Sequence, residues 1–127
     1  MDKTKEYKEM CRKAVEVQEY WHNSPHTITE WARSYFVSPK DDSLIHYYDF
    51  ESYPQHSTGY TWLPRQDQLQ DMVETNINYL MSRFTTCMVS FQDEYIEQFR
   101  SMEQLWLAFV MHEKFSKVWR DGEWIMK

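Results

Sequence analysis

Residues 62–73 read Trp62-Leu63-Pro64-Arg65-Gln66-Asp67-Gln68-Leu69-Gln70-Asp71-Met72-Val73, and they separate a mixed first part of the chain from a helical second part. Proline is favoured at the first position of a helix, because the N–H that it lacks would have no partner there, so Pro64 predicts a helix start. Asp67 and Asp71 follow near the positive end of the helix dipole. Apolar residues then recur at helical spacing, and we predict a helix from Pro64 to about Arg83.

Three further segments have helical periodicity. Residues 3–21 carry an apolar stripe and predict an amphipathic helix that ends before Pro25, since the residue preceding a proline disfavours helical geometry. Residues 86–98 repeat apolar side chains at the same period. Ser101-Met102-Glu103-Gln104 matches a capping box, and we expect it to open a central helix that runs to about Val118.

The segment between the first helix and residue 62 is the least determined. Thr27-Ile28-Thr29-Glu30 also matches a capping box, yet the sequence leaves residues 27–37 open between helix and strand. Residues 44–50 are rich in strand formers, and we predict that they pair with residues 33–38 in a small antiparallel hairpin. Residues 52–59 should then form a polar loop.

These elements predict the α+β class, mostly helical, with about four helices and one small antiparallel β-hairpin. No repeat or interdomain linker interrupts the pattern, so we expect residues 1–127 to form a single domain. The chain closes on Trp119-Arg120-Asp121-Gly122-Glu123-Trp124, an Asp-Gly turn between two tryptophans. Their rings either clamp back on the core or belong to a frayed tail with an interaction motif, and we favour the clamp.

The composition favours an aromatic-rich core and excludes several function classes. Phe, Trp and Tyr make up 17% of the 127 residues, with six tryptophans and nine tyrosines. Large rings bury much area in a core, and those left at the surface are typical anchors of protein interfaces. The net charge is −6 and no basic stripe is present, so we expect no direct binding to nucleic acid.

Two features concern the compartment. Cys11 and Cys87 occupy apolar positions of helical patterns, which predicts buried free thiols in a reducing environment. Residues 1–13 are charged and lack the apolar core of a signal peptide, and the longest apolar run, residues 105–111, is too short to span a membrane. We therefore expect a cytoplasmic protein without a membrane partner.

The five histidines do not predict a metal site. His22 and His26 lie four residues apart, but Pro25 between them breaks the helix that would place them on one face. The others lack the spacing of a metal-binding motif. Neither cysteine has neighbours that would activate a thiolate. We predict no catalytic residue, no metal and no cofactor.

The polar helix start after residue 64 is the best candidate surface. Its side chains can satisfy the unpaired backbone groups of a helix start, or they can recognise a partner protein beside a tryptophan. The candidate partner-binding residues are Trp62, Arg65, Gln66, Asp67 and Gln70.

Five sequence blocks resemble a family of small phage- and prophage-borne proteins of unknown function. The blocks are residues 11–19, 62–70 and 101–111, together with Lys117-Val118-Trp119 and Gly122-Glu123-Trp124. They cover roughly a third of the chain, and the residues between them match poorly. The resemblance implies a phage context and transfers no activity and no catalytic residue.

Three functions remain open from the sequence. We favour a protein-protein interaction or structural module with a protein partner and an undetermined oligomeric state. The alternative is an acidic decoy that inhibits a host nucleic-acid enzyme by presenting carboxylates in place of phosphates. An enzyme that uses a carboxylate or histidine of residues 44–71 is a third and weaker hypothesis.

Overall fold

The computed structural model describes residues 1–46 and 59–127. The α+β class is confirmed, whereas the expected count of about four helices is wrong, because the described residues contain seven helices. The elements in chain order are α1 (Lys5–Lys13), α2 (Val15–Asn23), α3 (Ile28–Ala32), β1 (Tyr35–Val37), β2 (Leu44–His46), β3 (Thr61–Leu63), α4 (Gln66–Val73), α5 (Ile77–Ser90), α6 (Asp93–Glu97), α7 (Met102–Phe115), β4 (Lys117–Arg120) and β5 (Glu123–Met126).

The first predicted helix is broken into α1 and α2 at Ala14, whose φ of −82° and ψ of 71° are not helical. The side chain of Gln18 supports the break. Its Nε2 donates to the carbonyl oxygen of Cys11 at 3.1 Å and to that of Trp62 at 2.9 Å, while its Oε1 accepts from the backbone N–H of Trp62 at 2.7 Å. One glutamine therefore ties the helix break to strand β3.

The predicted hairpin exists, and it belongs to a three-stranded antiparallel sheet of order β2-β1-β3. Phe36 pairs with Ile45 on one side and with Trp62 on the other. Residues 27–37 contain both alternatives, since α3 begins after the Thr27 cap and β1 follows. Strand β3 was not expected. The predicted strand residues 47–50 and most of the predicted loop lie outside the described residues.

The helices after residue 62 have other boundaries than the periodicity predicts. Pro64 precedes the helix, and Arg65 is the N-cap of α4. The predicted helix to Arg83 instead ends at Val73, and Asn76 caps a new helix, α5, by accepting from two backbone N–H groups. The predicted helix 86–98 is divided between α5 and α6.

Helix α7 is the central helix of the molecule, as expected, but it ends at Phe115 and not near Val118, because Ser116 has a positive φ of 56° and strand β4 begins at Lys117. Ser101 caps it by accepting from the backbone N–H of Gln104, as the capping box predicts. Its residues 106–111 are all buried, and it packs against α1, α4, α5 and β4. A helix that is apolar on most of its circumference is stable only when neighbours surround it.

The C-terminal segment clamps on the core. Strands β4 and β5 pair through a turn at Asp121 and Gly122, both with positive φ, as an Asp-Gly hairpin turn requires. The indole Nε1 of Trp124 donates to the carbonyl oxygen of Met10 at 2.9 Å, and the rings of Trp119 and Trp124 lie 4.9 Å apart. This ordered hairpin confirms the favoured alternative.

Both cysteines are buried free thiols, as predicted. None of the helices in the described part of the chain combines the length and the apolar character that crossing a membrane requires.

Candidate functional site

The start of helix α4 is organised by Arg65. Its backbone N–H donates to the Oε1 of Gln68 at 2.9 Å, which closes the first turn. Its guanidinium donates to both carboxylate oxygens of Asp67, from Nε at 3.0 Å and from Nη2 at 3.2 Å. Its Nη1 donates to the carbonyl oxygen of Arg33. Partial burial raises the pKa of Asp67, but the hydrogen bond and charge of Arg65 outweigh burial and hold that pKa below its ordinary value. Arg65 thereby joins the end of α3 to α4.

A stack of rings lies beside this helix start. Trp21 at the end of α2 stacks on Trp62 of β3, with centroids 4.7 Å apart and planes 21° apart. His26 stacks on Trp21 at 3.5 Å, and its Nε2 lies 2.7 Å from the carbonyl oxygen of Trp21. Tyr20 borders Trp62 at 6.4 Å. Helix α2, strand β3 and the loop before α3 therefore build one aromatic wall.

Together these groups enclose a cavity of about 220 Å³, here called the Arg65 pocket. Aromatic rings and charged side chains both line it. The lining residues are Tyr20, Trp21, His26, Glu30, Arg33, Trp62, Arg65, Asp67, Gln68 and Asp71.

The Arg65 pocket carries a net negative charge, because three carboxylates (Glu30, Asp67 and Asp71) line it against two guanidinium groups (Arg33 and Arg65). Arg65 is already paired with Asp67, whereas Asp71 forms no ion pair with any residue that the structure describes. Burial raises the pKa of Tyr20, and the nearby carboxylates of Glu30 and Asp71 raise it further.

The structure brings part of the predicted partner-binding set together. Trp62, Arg65 and Asp67 all line the pocket, while Gln66 and Gln70 are half-buried on α4 and are not among its described lining residues. Trp62 is buried, although it stands in the candidate partner-binding set. Its side chain is 1% exposed because β3 is packed under α2, so Trp62 is a wall of the pocket and not a surface anchor.

A second cluster joins Cys87 on α5 to His112 and Glu113 on α7. The Cys87 Sγ lies 3.5 Å from the His112 Nδ1, and the Sγ, a ring nitrogen of His112 and a Glu113 carboxylate oxygen lie within 4.8 Å of one another. Sequence reasoning missed this cluster because its members are 25 residues apart and share no motif. The sequence shows only that Cys87 on one side, and His112 and Glu113 on the other, lie near the apolar faces of two helical segments.

The cluster does not have the properties of a catalytic thiol. Cys87 is 2% exposed, so a substrate has little access to its sulfur. Burial, helped by the charge of Glu113, raises the pKa of Cys87 to about 12, which keeps the thiol protonated at neutral pH. Burial also lowers the pKa of His112, and the charge of Lys127 lowers it further.

Comparisons with models of protein families, with curated proteins and with solved structures found no match to the chain.

Proposed function

We propose that the protein is a small interaction module and that its Arg65 pocket receives a lysine or arginine side chain of a partner protein. The observation that carries this proposal is the exposed phenol ring of Tyr20 beside the stacked indoles of Trp21 and Trp62, together with the carboxylates of Glu30 and Asp71. A cation over an aromatic face is attracted by the ring quadrupole, and a carboxylate at the rim adds Coulomb attraction. A basic side chain is the common protein group that satisfies both.

The size of the pocket supports a side chain over a metabolite. Small-molecule sites are commonly about 300–1,000 Å³. The Arg65 pocket, at about 220 Å³, is smaller. A partner that inserts one long side chain and rests its remaining surface on the rim fits this volume.

The exposed apolar side chains of α5 also support a protein-binding role. Ile77, Tyr79, Met81 and Val89 are all exposed, and Val89 reaches 81%. Of these, Ile77 and Met81 lie four residues apart on one face of α5, which offers an apolar contact to a partner.

The pocket can be tested without knowing the partner. We would titrate the ¹⁵N-labelled protein with N-acetyl-arginine amide, N-acetyl-lysine amide and N-acetyl-glutamate amide. The indole N–H groups of Trp21 and Trp62 are suitable reporters, because neither donates to an acceptor within residues 1–46 and 59–127. The proposal expects their resonances to move with the two basic amides alone. Equal shifts with the glutamate amide, or none with any probe, would contradict it.

Charge variants sharpen the test. One rim ion pair is worth about 0.2–1 kcal/mol, so Asp71→Asn should weaken the basic probe by up to about fivefold. Arg33→Gln removes a positive charge that repels a basic probe, so it should strengthen binding of that probe to the pocket. Glu97→Gln on α6 is the matched control, since Glu97 is exposed and does not line the pocket. A basic probe that binds Asp71→Asn and wild type equally well would refute the role of the carboxylate.

The phage context remains part of the proposal, supported by the five sequence blocks that carry the resemblance. The acidic decoy is the alternative, supported by the net charge of −6. Capture from a host lysate with low-salt and high-salt washes separates the two, because attraction between exposed charges is screened by salt. A nucleic-acid enzyme lost at high salt would favour the decoy. A stoichiometric partner that is retained by wild type and recovered in smaller amount with Asp71→Asn would favour the pocket.

A further inference from the structure

The Cys87 cluster has the spacing of a metal site. A zinc ion holds a cysteine sulfur at about 2.3 Å and a histidine nitrogen at about 2.0–2.1 Å, and a tetrahedral angle then separates the two donors by about 3.5 Å. The observed separation between Cys87 Sγ and His112 Nδ1 is 3.5 Å. The Glu113 carboxylate lies within 4.8 Å of both donors, so a side-chain rotation brings its oxygen into reach.

From this geometry we propose that Cys87, His112 and Glu113 bind a divalent transition metal ion, with zinc as the best fit. Thiolate, imidazole and carboxylate are the donor types that zinc takes in proteins, and three protein ligands leave one tetrahedral position for water. The thiolate and the carboxylate together balance the charge of the ion. The site belongs to the α5–α7 contact and is independent of the Arg65 pocket.

Two cations, Arg83 and Lys127, contact the side chains of the cluster. Arg83 Nη2 lies 3.0 Å from the Oε2 of Glu113, which leaves the other carboxylate oxygen for the metal and orients it from outside. Lys127 Nζ lies 2.9 Å from the Nε2 and 3.3 Å from the Nδ1 of His112, so the ammonium is placed against both ring nitrogens.

Metal binding is incompatible with this arrangement. His112 would present the Nδ1 lone pair to the ion and carry its ring proton on Nε2, so that N–H and the Lys127 ammonium would be two donors facing each other. The exposed ammonium of Lys127 therefore leaves the ring. The Cys87 thiol releases one proton to solvent when its sulfur binds, as metal thiolates require. Lys127 thus competes with the metal.

The test is a titration with Co²⁺ followed by absorption spectroscopy, because cobalt bound to a thiolate has a sulfur-to-metal charge-transfer band. We expect the band in wild type, and we expect it to be absent in Cys87→Ser and retained in Cys11→Ser. Cys11 is the matched control, a second buried free thiol that is not part of the cluster. His112→Gln, checked for folding by circular dichroism, covers the case in which Cys87→Ser does not fold.

Two surface variants test the neighbouring cations. Arg83→Gln should weaken Co²⁺ binding by about tenfold, the usual cost of losing a group that orients a ligand. Lys127→Gln should strengthen binding, because it removes the competing ammonium. No band in wild type, or a band that survives in folded His112→Gln, would overturn the proposal. Weaker binding by Lys127→Gln would overturn the competition.

Discussion

Replacement of Asp2 should show how much a hydrogen-bonded contact between distant parts of the chain contributes to the stability of the fold. Its carboxylate is 8% exposed and joins the start of the chain to the cap of α7. Oδ1 accepts from the backbone N–H and the hydroxyl of Thr4 at 2.8 and 2.6 Å. Oδ2 accepts from Ser101 Oγ at 2.5 Å and from Gln104 Nε2 at 2.9 Å. Four donors thus converge on one buried carboxylate.

The Asp2→Asn variant should lose about 2–3 kcal/mol of unfolding free energy. A hydrogen bond to a charged group contributes about 1.5–3 kcal/mol. The new amide group faces two donors and loses those bonds, but the Ser101 hydroxyl can turn and accept from it, so part of the loss is recovered. Urea unfolding at neutral pH measures the change as a lower midpoint at unchanged m-value.

The same variant predicts a pH dependence. Burial raises the pKa of Asp2, but its hydrogen bonds from Ser101, Thr4 and Gln104 outweigh burial and lower that pKa below the ordinary value of 3.8. A lowered pKa gives a stabilisation that is complete above 3.8 and is lost as the pH falls through the folded-state value. The difference between wild type and Asp2→Asn should therefore shrink below pH 3.8.

Asp41→Asn is the matched control. Asp41 also accepts from a neighbouring serine, with Ser43 Oγ at 2.7 Å, but it is exposed and contacts only residues of its own turn, 38–43. We expect its replacement to leave the urea midpoint nearly unchanged. If both variants lose the same stability, or if the Asp2→Asn difference stays constant into acid, the reasoning about the buried carboxylate is refuted.

Two other side chains give predictions for stability. Gln18→Ala should cost about 1–3 kcal/mol in urea unfolding, because it leaves the backbone groups of Trp62 without partners; a change within error would show that water replaces them. Trp124→Phe should cost about 1–2 kcal/mol in thermal unfolding, since it removes the bond to the Met10 carbonyl while keeping a ring; an unchanged melting temperature would contradict the clamp.

Features that depend on neighbouring residues could be predicted from the sequence. The caps at Thr27 and Ser101 require only a hydroxyl three residues before a backbone N–H, and both form. The turn at Asp121 and Gly122 requires positive φ at both positions, which these residue types tolerate. In each case the interacting groups lie within four residues of one another in the sequence.

Features that depend on distant contacts could not be predicted. No proline or glycine marks the helix break at Ala14 in the sequence. The break is stabilised by Gln18, whose side chain hydrogen-bonds to a strand residue 44 positions away. Strand β3 has only three residues, and its pairing with β1 exists only in three dimensions. The burial of Trp62 follows from that pairing. Trp62, Arg65 and Asp67 of the candidate set line one pocket, and their binding to a partner stays a prediction.

Both ends of the chain are attached to the same helix, and this has a mechanical consequence. Asp2 holds the first turn of α7, and Lys127 holds the end of α7, with its backbone N–H donating to the carbonyl oxygen of Ser116 at 3.0 Å. A helix of 14 residues is about 21 Å long. A force that pulls Asp2 and Lys127 apart would therefore act along the axis of α7. The buried centre of α7 would unfold only after the contacts of Asp2 and Lys127 with the helix ends had broken.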